Sequence, residues 1–322
     1  MVTPVGTDVI TSLSRRYVMP RIVDNFYRSS PLFFRLNRAR RVIPGGYQLE
    51  IPAMYKGLVG GGPYSGYGVI STSPSDTVKN LAFDWKQHEV PVVVSRLDLI
   101  RANSPDAIVN LLDFNFAQAE MQIAENLSAG VWSDGSDPED ITGLEQAVDD
   151  GTVAATYGAL PRATNSWLNS QVDSTTATLT LDSLQSMHGS TKEGGRSTSL
   201  IVSRQEQYDR YWSLLVANQS FPTTGARDES LYANGGFDNL LLNGTPWCVD
   251  NHVFDGPNAS NSAILFLNED YIYFAVSPMA DFYVQDFIQP ANMDAYVSHI
   301  LWAGNLMVGN TQRQGKMTAV AG

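Results

Sequence analysis

The stretch Tyr47-Gln48-Leu49-Glu50-Ile51, answered after roughly thirty residues by Leu81-Ala82-Phe83-Asp84-Trp85-Lys86, decides how the rest of this 322-residue chain is read. Both runs alternate ring or aliphatic side chains with polar ones, which is the period of a half-buried strand. Tyr47, Leu49 and Ile51 therefore share one face. Leu81, Phe83 and Trp85 share one face of the returning strand, which continues into Val90-Pro91-Val92-Val93-Val94. The intervening residues are rich in Gly, Ser, Pro and Tyr, as in Gly60-Gly61-Gly62-Pro63-Tyr64-Ser65-Gly66-Tyr67-Gly68. An isolated two-stranded ribbon is marginal in water. A ribbon with an apolar face needs a surface to lie on, and a second copy of the chain supplies one.

Downstream, Asn103-Ser104-Pro105-Asp106 combines a capping side chain with a first-turn proline, a helix start. Ile108, Leu112, Phe116, Ala119, Ile123 and Leu127 follow at spacings of three and four, with Asn110, Asp113, Glu120, Gln122 and Glu125 on the other faces. The pattern predicts one helix to about Ala129, ~40 Å long at 1.5 Å per residue. Such a helix spans a domain.

Upstream, residues 1–42 read as an arm. Thr7–Asn25 has the spacing of a short helix, with Val9, Leu13, Tyr17 and Arg21 along one side. Pro31-Leu32-Phe33-Phe34 is expected to be extended by its proline, with Phe33 and Phe34 contacting a neighbour. After the acidic loop Gly130–Asp140, residues 142–279 mix helices and strands as an inserted α+β domain. A strand is expected at Thr178–Leu181 and a helix capped by Asp182. Leu200-Ile201-Val202 reads as a strand, and Gln205–Ala217 as a helix with Tyr208, Tyr211, Trp212 and Leu215 on one face. Further strands are expected at Thr245–Val249, Ala263–Leu267 and Tyr271–Val276, the last two joined by a tight turn at Asn268-Glu269-Asp270. Long strands close the chain at Phe282–Ile288, Tyr296–Val308 and Gly315–Val320.

Composition narrows the function classes. The chain is 17% charged, below the usual quarter, and carries a net charge of −12. Affinity for nucleic acid rests on Lys and Arg neutralising phosphates, so an acidic body is a poor DNA or RNA grip. Arg15, Arg16, Arg21, Arg28, Arg35, Arg38, Arg40 and Arg41 form a local basic exception in the arm. A single cysteine, Cys248, rules out an intrachain disulfide framework. No apolar run approaches the ~20 residues that span a bilayer. The opening residues lack the features of a signal peptide, so a cytoplasmic protein is expected.

The search for chemistry yields little. Cys248, Asp250 and His252 alternate along a predicted strand, yet the Cα atoms of Cys248 and His252 then lie ~13 Å apart, too far for a Cys–His pair. The histidines His88, His188, His252 and His299 show no recurrent metal spacing. Asp134, Asp137 and Asp140 offer oxygens for a cation but interrupt any calcium-loop spacing with Pro138, so a solvated loop is the default. The glycines of the ribbon tip open no helix and precede no Lys-Ser or Lys-Thr, which excludes a phosphate loop. The tracts Tyr271-Ile272-Tyr273-Phe274 and Phe282-Tyr283 lack interleaved cations, so packing outweighs base stacking. No catalytic residue and no cofactor is expected.

The order of parts resembles the major capsid proteins of tailed phages, the HK97-like fold. Trp302-Ala303-Gly304-Asn305-Leu306, with Asn310 and Gln314-Gly315, is similar to the closing strand and turn of such proteins, and Ile141-Thr142-Gly143-Leu144 to their start after the long helix. The resemblance implies an α+β fold with an N-terminal arm (1–42), an extended ribbon or E-loop (43–95), and a peripheral domain with its spine helix (96–141). It also implies an axial domain (142–279) and return strands of the peripheral domain (280–322). It further implies a structural protein that self-assembles as pentamers and hexamers into an icosahedral head in the host cytoplasm. That head encloses DNA without sequence-specific binding, alongside a portal; scaffolding is a separate protein, has been removed or is not needed, and decoration proteins are a further partner class left open. Tyr47, Leu49, Ile51, Leu81, Phe83, Trp85, Phe33 and Phe34 become the expected subunit contacts. Some relatives join a ribbon lysine to a neighbouring asparagine. Lys56 and Lys79 lie in the ribbon, but no motif marks a partner. The rival readings are an encapsulin-like compartment, a cytoplasmic α+β enzyme with dispersed site residues, and a β-rich carbohydrate-binding or tail protein.

Overall fold

The computed structural model describes residues 30–58, 62–68, 74–97, 100, 105–195, 197–217, 240–256, 262–291 and 293–320. The helix expected over Thr7–Asn25, the Asn103-Ser104 cap and part of the ribbon tip lie outside them.

The chain enters through helix α1 (Pro31–Arg38), not through an extended arm. Ser30 is its cap: the hydroxyl accepts from the Phe33 N–H at 3.4 Å, and Pro31 occupies the first turn, where its missing N–H has no helical partner to lose. Leu32, Phe33 and Leu36 are buried, so the segment expected to be extended by its proline is a capped, docked helix.

Strand β1 (Arg41–Val42) follows, then the ribbon strands β2 (Leu49–Met54) and β3 (Val78–Phe83), paired antiparallel with Leu49 opposite Phe83 and Ile51 opposite Leu81. The return does not run on unbroken as expected. It stops at Phe83, and β4 (Lys86–Ser95) joins a different sheet. The spine helix α2 runs Pro105–Gly130, close to its expected extent. Ala119, Ile123 and Leu127 are buried, the face that the three-and-four spacing set out.

Beyond α2 come α3 (Leu144–Ala147), the small hairpin β5 (Thr156–Tyr157) and β6 (Leu160–Pro161), and β7 (Gln171–Asp173). Helix α4 (Leu181–Ser190) starts at a Thr180/Ser183 capping box. The strand expected at Thr178–Leu181 and the Asp182 cap are both displaced by it: the Thr180 hydroxyl binds the Ser183 N–H and leaves no strand upstream. Then follow β8 (Leu200–Ser203), α5 (Gln205–Ala217), β9 (Leu240–Leu242), β10 (Thr245–Val249) and β11 (Ile264–Leu267). The chain closes with β12 (Ile272–Val276), β13 (Tyr283–Val284), β14 (Ala295–Val308) and β15 (Gly315–Met317). On α5, Tyr211 and Leu215 are buried while Trp212 is half exposed.

Two sheets organise these strands. A five-stranded sheet has the order β1-β12-β14-β13, with β4 on the other side of β14. A six-stranded sheet has the order β7-β15-β11-β8-β10-β9. β11 and β12 were expected to be joined by one tight turn, and the short 3₁₀ segment Glu269–Tyr271 does connect them. It carries the chain from the six-stranded sheet to the five-stranded one instead of closing a hairpin. β15 likewise leaves the other closing strands and lies between β7 and β11. Sheet membership therefore cuts across boundaries drawn at residues 279 and 280.

Strand alternation separates the two faces of the six-stranded sheet. Ile201, Trp247, Ile264 and Phe266 pack with Tyr211 and Leu215 of α5 and Leu184 of α4. Leu200, Val202, Leu265 and Leu267 join a second, larger core with Ile123 and Leu127 of the spine helix and Phe274, Trp302 and Leu306 of the five-stranded sheet. The period of two makes β8, β10 and β11 serve both cores. No helix among the described residues is long and apolar enough to cross a membrane.

Candidate functional site

The ribbon is held at its root by its own chain. Leu49, Leu81 and Phe83 are buried, and the Phe83 ring meets Tyr157 edge-on with centroids 5.2 Å apart. The turn of the β5–β6 hairpin, Gly158-Ala159, has positive φ at both residues. Its Gly158 carbonyl accepts from the Ala82 N–H at 3.1 Å. A Cβ on Gly158 would lie 2.9 Å from the Leu81 side chain, so glycine lets the turn sit against the ribbon. Further out, Lys79 Nζ donates to Asn165 Oδ1 at 2.7 Å and lies over the Tyr55 ring.

This placement divides the expected contact set by burial. Leu49, Leu81, Phe83 and Phe33 are buried within their own chain, Phe33 edge-on to Phe274 at 6.0 Å. Ile51 and Trp85 are partly buried against the same core, and Trp85 Nε1 donates to the Gly46 carbonyl at 2.9 Å. The alternating face was read as seeking another subunit, but a core within the chain, with the hairpin turn beside it, buries it first. Tyr47 (95% exposed) and Phe34 (63%) do face solvent, as do Met54, Leu58, Tyr64 and Tyr67 (68–105%), which the strand pattern alone did not single out.

A polar bracket fixes the root to the spine helix and the closing strand. Asn305, fully buried in β14, donates from Nδ2 to the Asp84 carbonyl at 2.8 Å. Its Oδ1 accepts from the Thr142 N–H at 2.8 Å. The Leu144 N–H donates to the Val131 carbonyl at 2.7 Å, and a Cβ on Gly143 would overlap the Ser133 backbone. Nearby, Gln314 binds the crossover between the sheets at both ends of its amide: Oε1 accepts from the Asn268 N–H at 2.8 Å and Nε2 donates to the Asn268 carbonyl at 3.1 Å. The short motifs Ile141–Leu144, Trp302–Leu306 and Gln314-Gly315 thus surround the points where ribbon, helix and sheets meet.

Beside the hairpin lies a buried charge cluster. Lys316 Nζ donates to Asp149 Oδ1 at 2.8 Å, with both residues buried. Burial pushes the Asp149 carboxyl up, but the Lys316 ammonium and the N–H groups of Gly151 and Ala154 outweigh it and hold it well below the usual range. Arg162 is buried and donates to the backbone carbonyls of Gln146, Ala147, Asp149 and Leu168. Burial pushes the Glu145 carboxyl up to about 7, against the pull of Lys316.

The remaining candidates are accounted for by local bonding. Asp134, Asp137 and Asp140 each accept a backbone N–H of their own loop, from Ser136, Glu139 and Ile141. Among the described residues no group of three His, Cys, Asp or Glu could hold a metal ion. Burial raises the Cys248 thiol to about 11. The ring nitrogens of His252 face Asp250 and Glu125.

The fold is that of viral and encapsulin shell proteins. The chain is similar over 98% of its length to 99% of a chain in the cyanophage A-1(L) capsid asymmetric unit, with a TM-score of 0.71 at 15% identity. It is similar over 99% of its length to 97% of a chain in the holo-SrpI encapsulin complex from Synechococcus elongatus PCC 7942, with a TM-score of 0.64 at 11% identity. A chain of the capsid of Myoviridae phage XM1 matches at a TM-score of 0.60 and 13% identity, covering 98% of this chain and 99% of that one. No protein-family model matches the chain, and no curated protein matches it in sequence. At these identities the likeness is one of fold, and the fold is the HK97-like capsid fold.

Proposed function

We propose that the protein is the major capsid protein of a tailed phage, a structural subunit without catalysis that assembles into a closed head around DNA. The observation that carries this reading is the ribbon. Its root is anchored in the chain, yet Tyr47, Met54, Leu58, Tyr64 and Tyr67 stay in water, a set of apolar side chains that contact between copies removes from solvent. A near full-length match to shell subunits fits the same picture. Closed symmetry then ends growth. In this reading the five-stranded sheet with the spine helix forms the peripheral domain and the six-stranded sheet the axial domain. A net charge of −12 keeps the body from adhering to packaged DNA. Assembly takes place in the host cytoplasm with a portal and separate scaffolding or decoration proteins.

A second reading, a protein compartment that houses cargo, is favoured by the likeness to the encapsulin subunit. Electron microscopy of the purified chain tests both. Closed particles or capsomer rings support a shell, and nucleic acid against protein inside separates the two readings. A monomer at all concentrations and salts refutes both.

A further inference from the structure

One cluster of ionisable groups lies apart from the ribbon and has no part in the shell reading. His252 stands just past β10 with its side chain nearly buried. Its Nε2 is 2.9 Å from Glu125 Oε1 on the spine helix, and its Nδ1 is 3.4 Å from Asp250 Oδ1, an ion-pair distance. Asp250 is fully buried, and its other oxygen accepts from the Ser30 hydroxyl at 2.6 Å. Ser30 in turn caps α1. Three elements distant in sequence therefore meet at the Asp250–His252 pair.

Nε2 is within hydrogen-bond distance of Glu125, whereas Nδ1 makes no hydrogen bond and meets Asp250 Oδ1 only at ion-pair distance. That oxygen accepts the His252 backbone N–H at 3.0 Å. A protonated ring turns a charged N–H toward each carboxylate. A neutral ring carries only one, and its other nitrogen then presents a lone pair to a carboxylate. Removing that charge also leaves the Asp250 carboxylate buried without its cation, a costly state. A cavity of about 610 Å³ reaches His252 and gives the proton a route to solvent. The other groups facing it are His88 and Glu89 from β4 and Asp137, Glu139 and Asp140 from the acidic loop. His88 is paired with Asp140 at 3.2 Å.

We propose that Ser30, Asp250, His252 and Glu125 form a proton-loaded latch that clamps the first turn of α1 and the spine helix to the end of β10, and that loss of the His252 proton releases that turn. The contact with Asp250, then that with Glu125, raises the His252 value against the opposing effect of burial. The latch is accordingly closed below the ordinary histidine value of about 6.5 and opens as pH rises through the higher folded value. It holds whether or not the protein builds a shell.

Hydrogen exchange of the full-length protein, followed by mass spectrometry over peptides covering residues 30–36 and corrected for the intrinsic pH dependence of exchange, tests it. Wild type should lose protection there as pH rises past the His252 transition. His252→Gln should show the low protection at every pH, and His88→Gln should leave the step in place. Glu125→Gln should move the midpoint toward the ordinary histidine value, which keeps the test open if His252→Gln does not fold. A flat wild-type profile, a step that survives in His252→Gln, or an unmoved midpoint in Glu125→Gln would overturn the latch.

Discussion

The Asn305 side chain donates to the Asp84 carbonyl at 2.8 Å while its oxygen accepts from the Thr142 N–H at 2.8 Å. One buried amide thus fastens the foot of the ribbon, the loop after the spine helix and the long closing strand to one another. Nothing apolar can replace it, because both backbone groups lose their partner at once.

Asn305→Ala should therefore destabilise the protein by about 1–3 kcal/mol, the usual cost of leaving buried polar groups unpaired. Urea denaturation of the unassembled chain measures it. A change near zero would mean that water or a rearranged loop replaces the amide.

Gly143 tolerates no side chain, since a Cβ would overlap the Ser133 backbone. Gly143→Ala should yield little soluble protein, whereas Gly57→Ala, with no atom within 4 Å of its added carbon, should express normally. Soluble yield and circular dichroism compare the two.

The ribbon can be divided at its last paired residues, Met54 and Val78. Replacing Gly57–Asp76 with a short turn should leave the body folded, because the root contacts of Leu49, Leu81, Phe83 and Lys79 are kept. It should abolish shell assembly. Normal shells from this variant, seen by electron microscopy, would show that the ribbon tip is dispensable.

Glu145 makes stability fall with pH. Its folded value near 7 lies above the ordinary 4.5, so the folded state holds the extra proton between those values, and stability declines as pH rises through that window. Asp149 has the opposite sign: its depressed value contributes stability above the ordinary 3.8 that is lost on acidification. Glu145→Gln should flatten the decline between pH 5 and 7, read as thermal midpoints across that range.

Cys248 should resist thiol reagents in the native protein, since it is buried and its value is raised to about 11. Labelling should appear only with unfolding. Fast labelling at neutral pH would show that the strand end opens to solvent.

Much of the fold was legible in local patterns. The three-and-four spacing over Ile108–Leu127 anticipated the spine helix, and period-two alternation the ribbon strands, because these periods are set by backbone geometry within a few residues. The proline at 31 misled for a local reason too: Ser30 before it makes a helix cap, and that pairing outranks the extended bias that proline imposes on its predecessor. Asn243-Gly244, both at positive φ, was a readable hairpin signal between β9 and β10 that the strand pattern alone passed over.

Residue types and their spacing by themselves determined the spine helix, the ribbon strands and most of the inserted strands, and that one apolar ribbon face had to be covered. Only the tertiary structure decided what covers it. Leu49, Leu81 and Phe83 gain burial from Tyr157, Gly158 and a core assembled from segments far apart in sequence, and no local pattern encodes that meeting. The same holds for β15 entering the six-stranded sheet, and for Asn305, His252 and Gln314 finding partners across the chain. Side-chain periodicity reports which face of a strand is apolar. What that face packs against is chosen by the free energy of the whole assembled core.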